Sequence, residues 1–292
     1  MKHSVLKFLL SALTVCLLHI ASSAQTVKEP PATNDEWTRD YKPFRVAGNL
    51  YYVGTYDLAC YLITTPKGHI LINTGIASSA AIIKQHIEAL GFNMQDVRIL
   101  LTNQAHYDHV GAIAEIKKMT GAALMVDEKD APVMADGGKT DYYFGGSDPS
   151  FQPATADRLL KDRDTITLGG TNLVLLHHPG HTKGSCSYLV DVRDSARSYR
   201  VLIANMPSII IETKFSAVTR YPGMVKDYAY TLDAMPKLDF DIWVAAHASQ
   251  FDLHEKRKET DGYDPSVFAD KKNFKRRIAK LKAAYKKKLA EE

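Results

Sequence analysis

The residues best suited to do chemistry lie between Gln104 and Gly111, in the segment Gln-Ala-His-Tyr-Asp-His-Val-Gly. Three of them, His106, Asp108 and His109, fall within four consecutive positions. Imidazole nitrogen and carboxylate oxygen are both strong zinc ligands. Because three donors so close together do not easily converge on one ion, the segment predicts either a pair of metal sites or one site completed by distant residues.

Two distant histidines are candidates to complete these sites. His181 follows a predicted strand in a His-Pro-Gly-His-Thr segment, and His247 directly follows a predicted strand at 242–245. Loops at strand ends are where layered α/β proteins expose side chains to a cleft. Five further histidines are interpreted as surface or hydrogen-bonded structural residues: His69, His86, His177, His178 and His254.

The elements that must position these residues are short strands with helices between them, as the apolar patterns indicate. In the first half, we predict strands at 50–53, 61–64, 69–73 and 97–101, and helices from about 79 to 90 and over 111–119. In the second half, we predict strands at 165–168, 172–176, 187–192, 200–204 and 242–245, and helices over 228–235 and 271–288. Two such halves predict an α/β sandwich, in which two β-sheets face each other with helices outside.

The N-terminus has the features of a secretory signal peptide. Lys2 and Lys7 precede an apolar run over 8–20, and the small residues Ser-Ser-Ala end at Ala24. A transmembrane anchor would need roughly 18 or more apolar residues, and a lipoprotein would need a small residue before Cys16, where Val15 stands. We therefore expect a signal peptide over 1–24, one domain over 25–292, and export to the periplasm without a stable membrane anchor.

The charge of the chain bears on its partners, and the positions of its cysteines bear on disulfide formation. A formal net charge of +4 over 292 residues gives no electrostatic case for nucleic acid. The lysine-rich C-terminus is explained by an amphipathic helix with its lysines in solvent, with membrane-surface binding as the less favoured alternative. Cys60 and Cys186 each lie in a strand-like apolar run, which favours two buried free thiols over one disulfide.

The order of these motifs resembles the metallo-β-lactamase superfamily. An HxDHxG motif after an apolar strand, a later PGHT motif and a third histidine after a late strand carry the resemblance. Within the superfamily the sequence is similar to subclass B3 β-lactamases, and most to the GOB type, which has Gln in place of the first histidine of HxHxDH. Gln104 occupies that position, and Asn73 stands where the superfamily usually has Asp and the GOB type has Asn.

The resemblance implies two sets of zinc ligands. Gln104, His106 and His181 would bind the first of up to two zinc ions. The second set would be Asp108, His109 and His247. An amide oxygen is a weaker donor than imidazole, so we expect the second site to be the stronger.

The resemblance also implies a reaction, the hydrolysis of the β-lactam amide of penicillins, cephalosporins and carbapenems, which confers antibiotic resistance. Asp108 would orient the attacking water, and Ser208 would contact the substrate. The alternative is another hydrolase of the same fold, a lactonase or a thioester hydrolase. Those relatives usually carry a bridging carboxylate at the strand end where this chain reads Ala-Asn-Met-Pro-Ser over 204–208, so the β-lactamase is favoured. A closed structural zinc site would need four strong ligands, and each set offers three.

Overall fold

The computed structural model of the protein describes residues 26–31 and 34–292. The predicted signal peptide, 1–24, lies outside the described residues. The strands are β1 (Phe44–Ala47), β2 (Leu50–Tyr52), β3 (Tyr61–Thr65), β4 (Gly68–Ile72), β5 (Val97–Leu101), β6 (Ala123–Asp127), β7 (Arg158–Leu160), β8 (Thr165–Leu168), β9 (Thr171–His177), β10 (Cys186–Arg193), β11 (Ser198–Ala204) and β12 (Ile242–Ala245). The α-helices are α1 (Ser79–Ala89), α2 (Tyr107–Val110), α3 (Ile113–Thr120), α4 (Ala131–Asp136), α5 (Met224–Ala234), α6 (Leu253–Lys256) and α7 (Lys271–Leu289).

The strands form two sheets. The first contains β1 to β7 in chain order, with antiparallel pairing up to β4 and parallel pairing from β4 to β7. The second has the order β12-β11-β10-β9-β8 and is antiparallel except between β11 and β12. Strands β9, β11 and β12 therefore run in the same direction, and their carboxyl ends meet at one edge of the second sheet.

The side chains of a strand alternate between the two faces of its sheet. In β3, Tyr61 and Ile63 pack into a core shared with the second sheet, whereas Leu62 packs with α1 and α3 on the other face. The outer face of the second sheet is covered by α7, where the ring of Phe274 lies 5.2 Å from that of Trp243. The molecule is thus an α/β sandwich with helices outside two facing sheets, which confirms the predicted fold class.

Most predicted elements are present with small shifts in their ends. The strands predicted at 97–101, 165–168 and 242–245 have the predicted bounds. The helix predicted over 228–235 begins one turn earlier, at Met224, and the helix predicted over 111–119 is in fact two helices, α2 and α3. Strands β1, β6 and β7 and helices α4 and α6 were not predicted. Asp108 and His109 consequently lie on a helical turn, not in a loop before a helix.

The prediction that the two cysteines are buried free thiols can be compared with the structure. Cys60 and Cys186 are buried free cysteines, as predicted, and burial raises the pKa of both thiols. Within 26–31 and 34–292, no helix is both long and apolar enough to cross a membrane.

Candidate metal centre

The candidate ligands lie where strands of the two sheets end close together. Residues 104–109 follow β5, His181 follows β9, and His247 follows β12. A backbone hydrogen bond connects the two sheets here: Cys186 N, at the start of β10, donates to Asn103 O in the loop after β5 (2.9 Å). The glycine of the HxDHxG motif is required by a second close approach, between the turn at Gly111 and the loop before α1. A Cβ on Gly111 would lie 2.5 Å from Ala77 N, so the motif's turn packs directly on the neighbouring loop.

The second predicted ligand set is assembled in the structure. One potential ligand atom from each of Asp108, His109 and His247 lies within 4.8 Å of the others. Asp108 Oδ2 is 3.3 Å from His109 Nε2 and 3.4 Å from His247 Nε2. Two atoms on a tetrahedral zinc ion, each about 2.0–2.1 Å from it, lie roughly 3.3 Å apart. These three donors therefore have the spacing of ligands that share one ion.

A carboxylate behind His247 fixes the orientation of its ring. His247 Nδ1 is 3.0 Å from Asp57 Oδ2, and Asp57 Oδ1 accepts a hydrogen bond from Ser249 N (2.9 Å). This contact turns Nε2 towards Asp108 and makes it the available donor. Burial opposes protonation of His247, but hydrogen bonds to Asp108 and Asp57 outweigh it and raise its pKa to about 9, so a metal ion that binds Nε2 would displace a proton.

Asp108 is held as a carboxylate. Burial alone would raise its pKa, but the imidazoles of His109 and His247 hold the pKa of Asp108 well below its ordinary value. Burial lowers the pKa of His109. The site thus presents an anionic oxygen between two ring nitrogens, which is the donor set that a zinc ion requires.

The first predicted set is also brought into one buried region. The rings of His106 and His181 have centroids 4.9 Å apart. His181 Nδ1 is 2.7 Å from Ser208 O, which leaves Nε2 as its free donor. Burial, with His106 close by, lowers the pKa of His181 to about 3. The ring is therefore neutral at physiological pH and keeps a lone pair for a metal.

Gln104 supplies an observation that favours a ligand at this first site. Its amide Oε1 is buried and has no hydrogen-bond donor within the described residues. A buried polar atom without a partner costs free energy, so such atoms are rare in folded proteins and call for an explanation. His109 Nε2, in the second set, is also buried and forms no hydrogen bond of normal geometry, although Asp108 Oδ2 lies 3.3 Å away. Both atoms fit a metal ion, which would coordinate them.

The chain before Gln104 is held by Asn73, the residue where the superfamily usually has Asp. Asn73 Nδ2 donates to Ala59 O (3.2 Å) and to Asn103 Oδ1 (2.9 Å). Asn73 Oδ1 accepts from Asn103 N (2.9 Å). Its φ of 62° is a left-handed conformation that Asn tolerates better than most residues. An amide, unlike a carboxylate, satisfies both kinds of partner.

Asp130 connects the two segments that carry the first ligand set. Its Oδ2 accepts from Ala105 N (2.9 Å) and Thr182 Oγ1 (2.7 Å), and its Oδ1 accepts from Gly184 N (2.7 Å). Burial raises the pKa of Asp130 to about 6 in spite of these hydrogen bonds. The residue ties the loop after β5 to the loop after β9.

Ser208 lies beside the first ligand set. Its Oγ is 3.2 Å from His181 Nδ1, and its carbonyl accepts from the Tyr228 hydroxyl (2.8 Å). Asn205, at the strand end where the rival hydrolases carry a carboxylate, is buried and donates from Nδ2 to Asn103 O (3.3 Å). This strand end therefore carries an amide, and its side chain is hydrogen-bonded to the backbone.

Aromatic side chains surround both ligand sets. The Phe144 ring lies 5.0 Å from the ring of His106 and 5.1 Å from that of Tyr107. The Trp37 ring is 6.1 Å from the rings of Tyr107 and His247. These rings give the candidate centre an apolar rim.

The histidines interpreted as structural have protein partners or lie outside both sets. His177 Nδ1 is 2.7 Å from Asp127 Oδ2, His178 Nδ1 is 2.8 Å from Ser187 Oγ, and His254 Nε2 is 2.7 Å from Tyr56 O. His86 is bonded through both ring nitrogens. His69 Nδ1 is buried and unpaired, but it belongs to neither ligand set.

With the fold and the two ligand sets described, the chain can be compared with known families. The sequence pattern of the metallo-beta-lactamase superfamily matches residues 54–247, which contain all six candidate ligands. The chain belongs to this superfamily, and it is a hydrolase.

Solved structures narrow the classification. The class B3 di-zinc metallo-beta-lactamase LRA-12 from an Alaskan soil metagenome is 64% identical, with a TM-score of 0.89 over 90% of this chain and 100% of that one. The metallo-beta-lactamase GOB-18 from Elizabethkingia meningoseptica is 57% identical, with a TM-score of 0.91 over 92% of this chain and 100% of that one. The predicted likeness to class B3 and to the GOB type is confirmed, and zinc is the metal of this class.

Curated relatives are more distant. A hydroxyacylglutathione hydrolase of a Bradyrhizobium species is 29% identical over 131 residues, which is 45% of this chain and 42% of that protein. The chain spans about half the length of the first curated relatives that it matches.

Three carboxylates around the ligand sets were not found by sequence reasoning: Asp57, Asp130 and Asp141. Asp57 and Asp141 are single aspartates in loops, and Asp130 follows Asp127 and Glu128 just before α4, with no histidine at a ligand spacing from any of the three. Asp57 contacts a histidine 190 residues away in sequence. Only the folded chain brings such pairs together, so no local signal identifies them.

Proposed function

We infer that this protein is a zinc-dependent β-lactamase, which hydrolyses the amide bond of penicillins, cephalosporins and carbapenems and so confers antibiotic resistance. The observation that carries the inference is the cluster of Asp108, His109 and His247, whose ligand atoms lie within 4.8 Å of one another. The 64% identity to a class B3 di-zinc metallo-beta-lactamase supports it.

Up to two zinc ions would be held by the six candidate residues. Gln104, His106 and His181 would form the first site, and Asp108, His109 and His247 the second. The unpaired Gln104 Oε1 supports a ligand at the first site. Because an amide oxygen is a neutral and weaker donor than imidazole, the second site would bind zinc more tightly.

Opening a β-lactam requires a nucleophile at neutral pH and stabilisation of charge as the C–N bond breaks. Bound zinc supplies both, because it lowers the pKa of water and acts as a Lewis acid. Asp108, kept ionised by its imidazole neighbours, would accept a hydrogen bond from the attacking water and orient it towards the carbonyl carbon. Ser208 would contact the substrate from beside His181, and the aromatic rim of Phe144 and Trp37 would limit the access of bulk water.

A thioester hydrolase or lactonase is the second candidate, since a hydroxyacylglutathione hydrolase is among the relatives. The position where such enzymes usually carry a bridging carboxylate holds Asn205, whose amide is bonded to Asn103 O. The test is a direct comparison of substrates at equal enzyme concentration: a penicillin, a cephalosporin, a carbapenem, an S-acylglutathione thioester and a lactone. Turnover of the β-lactams supports the proposal. Turnover of the thioester or lactone with inert β-lactams would establish the second candidate.

We also propose that residues 1–24 are a cleaved signal peptide, that 25–292 form one metallo-β-lactamase domain, and that the domain works in the periplasm. The small-molecule substrate would be its partner, with neither nucleic acid nor a stable membrane anchor involved. Intact-mass measurement on protein from the periplasmic fraction tests this. A mature N-terminus within a few residues of Gln25 is expected, and retention of Met1 with the protein in the membrane fraction would contradict it.

A further inference from the structure

A turn over residues 141–144, between α4 and β7, contacts both histidines of the first ligand set, His106 through its ring and His181 through its main-chain carbonyl. The Tyr142 hydroxyl donates to His181 O (2.9 Å), and the Phe144 ring packs on the ring of His106 at 5.0 Å. Asp141 Oδ2 lies 3.3 Å from His106 Nε2. This turn therefore packs against the first site from one side.

The Asp141 carboxylate is fixed in its orientation. Its Oδ1 accepts hydrogen bonds from Tyr143 N (2.8 Å) and Phe144 N (2.7 Å). Its main-chain carbonyl accepts from Arg220 Nη1 (3.3 Å). The side chain is only 4% exposed. Oδ1 is thus used by the turn itself, and Oδ2 is left to face His106.

His106 Nε2 is buried and forms no hydrogen bond of normal geometry within the described residues, and Asp141 Oδ2, 3.3 Å away, is the carboxylate oxygen that faces it. A neutral imidazole carries its proton on one nitrogen and offers the lone pair of the other. With a carboxylate beside Nε2, the proton is favoured on Nε2, and Nδ1 is left as the metal donor. Carboxylates placed in this way also make a histidine a stronger ligand.

We propose that Asp141 is a positioning residue for the first metal site, which holds His106 as its Nε2–H tautomer and strengthens Nδ1 as a zinc donor. This compensates in part for the weak amide donor of Gln104. In the second site, Asp57 likewise places a carboxylate oxygen against the ring nitrogen of His247 that faces away from the other ligands, Nδ1. The proposal rests on the proposed function only in taking His106 to be a zinc ligand.

Asp141→Asn is the informative variant. The amide keeps an oxygen for the Tyr143 and Phe144 N–H groups but presents an NH₂ group to His106 Nε2, and two donors cannot hydrogen-bond to each other. The proton of His106 should then move to Nδ1, which blocks the metal. We expect the first site to bind zinc about 10–100-fold more weakly, as other carboxylates behind ligating histidines imply, with the second site unchanged.

Two variants act as controls. Asp148→Asn removes a half-exposed carboxylate from the same loop, which contacts Lys28 and the Ser147 hydroxyl and neither ligand set, and should leave both affinities as in the wild type. Asp57→Asn should weaken the second site and spare the first. Affinities come from zinc and Co²⁺ titrations of metal-free protein in competition with a chromophoric chelator, so enzymatic activity is not needed.

The second readout is the tautomer of His106 in metal-free wild-type protein, from ¹⁵N chemical shifts of the histidine rings. A proton on Nε2 in the wild type and on Nδ1 in Asp141→Asn supports the proposal. A proton on Nδ1 in the wild type, or a first-site affinity in Asp141→Asn within roughly twofold of the wild type, would overturn it. If Asp141→Asn does not fold, the wild-type tautomer decides alone. Inert β-lactams would refute the proposed function but leave this result intact.

Discussion

At the proposed first metal site, Gln104 would offer an amide oxygen where imidazole would bind zinc more tightly. Removing its side chain should therefore cost less activity than removing His247, and Asp108→Ala should be the most damaging change. Gln104→His should tighten zinc at the first site, although Asn73 and its neighbours are arranged for the amide. The measurement is a zinc titration of each variant with activity determined at every step. If Gln104→Ala loses zinc and turnover as completely as His247→Ala, the two sites are not ranked as proposed.

Asn73 is matched to its surroundings as an amide. Asn73→Asp would place a carboxylate oxygen against Ala59 O and Asn103 Oδ1, the two acceptors that its NH₂ group now serves. Leaving such groups unpaired in a buried position costs about 1–3 kcal/mol, so the free energy of unfolding should fall by that amount. Denaturant unfolding measures it. A variant as stable as the wild type would show that the superfamily's usual Asp is equally well accommodated here.

The sequence was sufficient to propose the candidate ligands, but not the residues that support them. Asp108 and His109 stand out because their spacing is that of metal ligands, and His247 because it ends an apolar strand. Asp57 and Asp141 act through contacts with residues far away in sequence, 190 residues away for Asp57. Their positions depend on how the sheets pack, which no local pattern encodes.

At the scale of elements, the strands buried on both faces were the most predictable. Strand β5 is buried except at Arg98, so four of its five residues are apolar and its bounds are clear. Strand β7 is a three-residue edge strand with Leu159 55% exposed, and it forms through its pairing with β6. Helix α2 is only four residues long, too short for a helical apolar pattern.

An ion pair connects the two sheets and gives a pH-dependent prediction. His177 at the end of β9 bonds to Asp127 at the end of β6 (2.7 Å). Burial lowers the pKa of His177, but Asp127 outweighs it and raises the pKa above 6.5. The pair therefore stabilises the protein fully below pH 6.5, and the contribution is lost as pH rises through the folded-state pKa.

His177→Gln should therefore lower the free energy of unfolding more at about pH 5.5 than at about pH 9. Denaturant unfolding of wild type and variant at both pH values checks this. His254→Gln is a matched control, because the His254 ring contacts the Tyr56 carbonyl and no carboxylate. A stability difference for His177→Gln that is the same at both pH values would contradict the assignment.

At the scale of the whole molecule, the active centre depends on both sheets at once. The first sheet supplies the loop after β5, and the second supplies the loops after β9, β11 and β12. The facing-sheet fold was predictable because strands and helices alternate in two halves. The meeting of four loops at one edge was recognisable only through the resemblance to a known family, since the pairing order of strands has no local sequence signal.

The central claim is that β-lactam hydrolysis depends on zinc held by Asp108, His109 and His247. The most direct measurement removes zinc from the mature protein with a chelator and then restores it in steps, with penicillin and carbapenem hydrolysis followed at each step. We predict that the metal-free protein is inactive, that activity returns in proportion to added zinc until the sites are filled, and that His247→Ala recovers little at the same zinc concentrations. Full activity in protein shown to contain no zinc, or equal recovery by His247→Ala, would contradict the account.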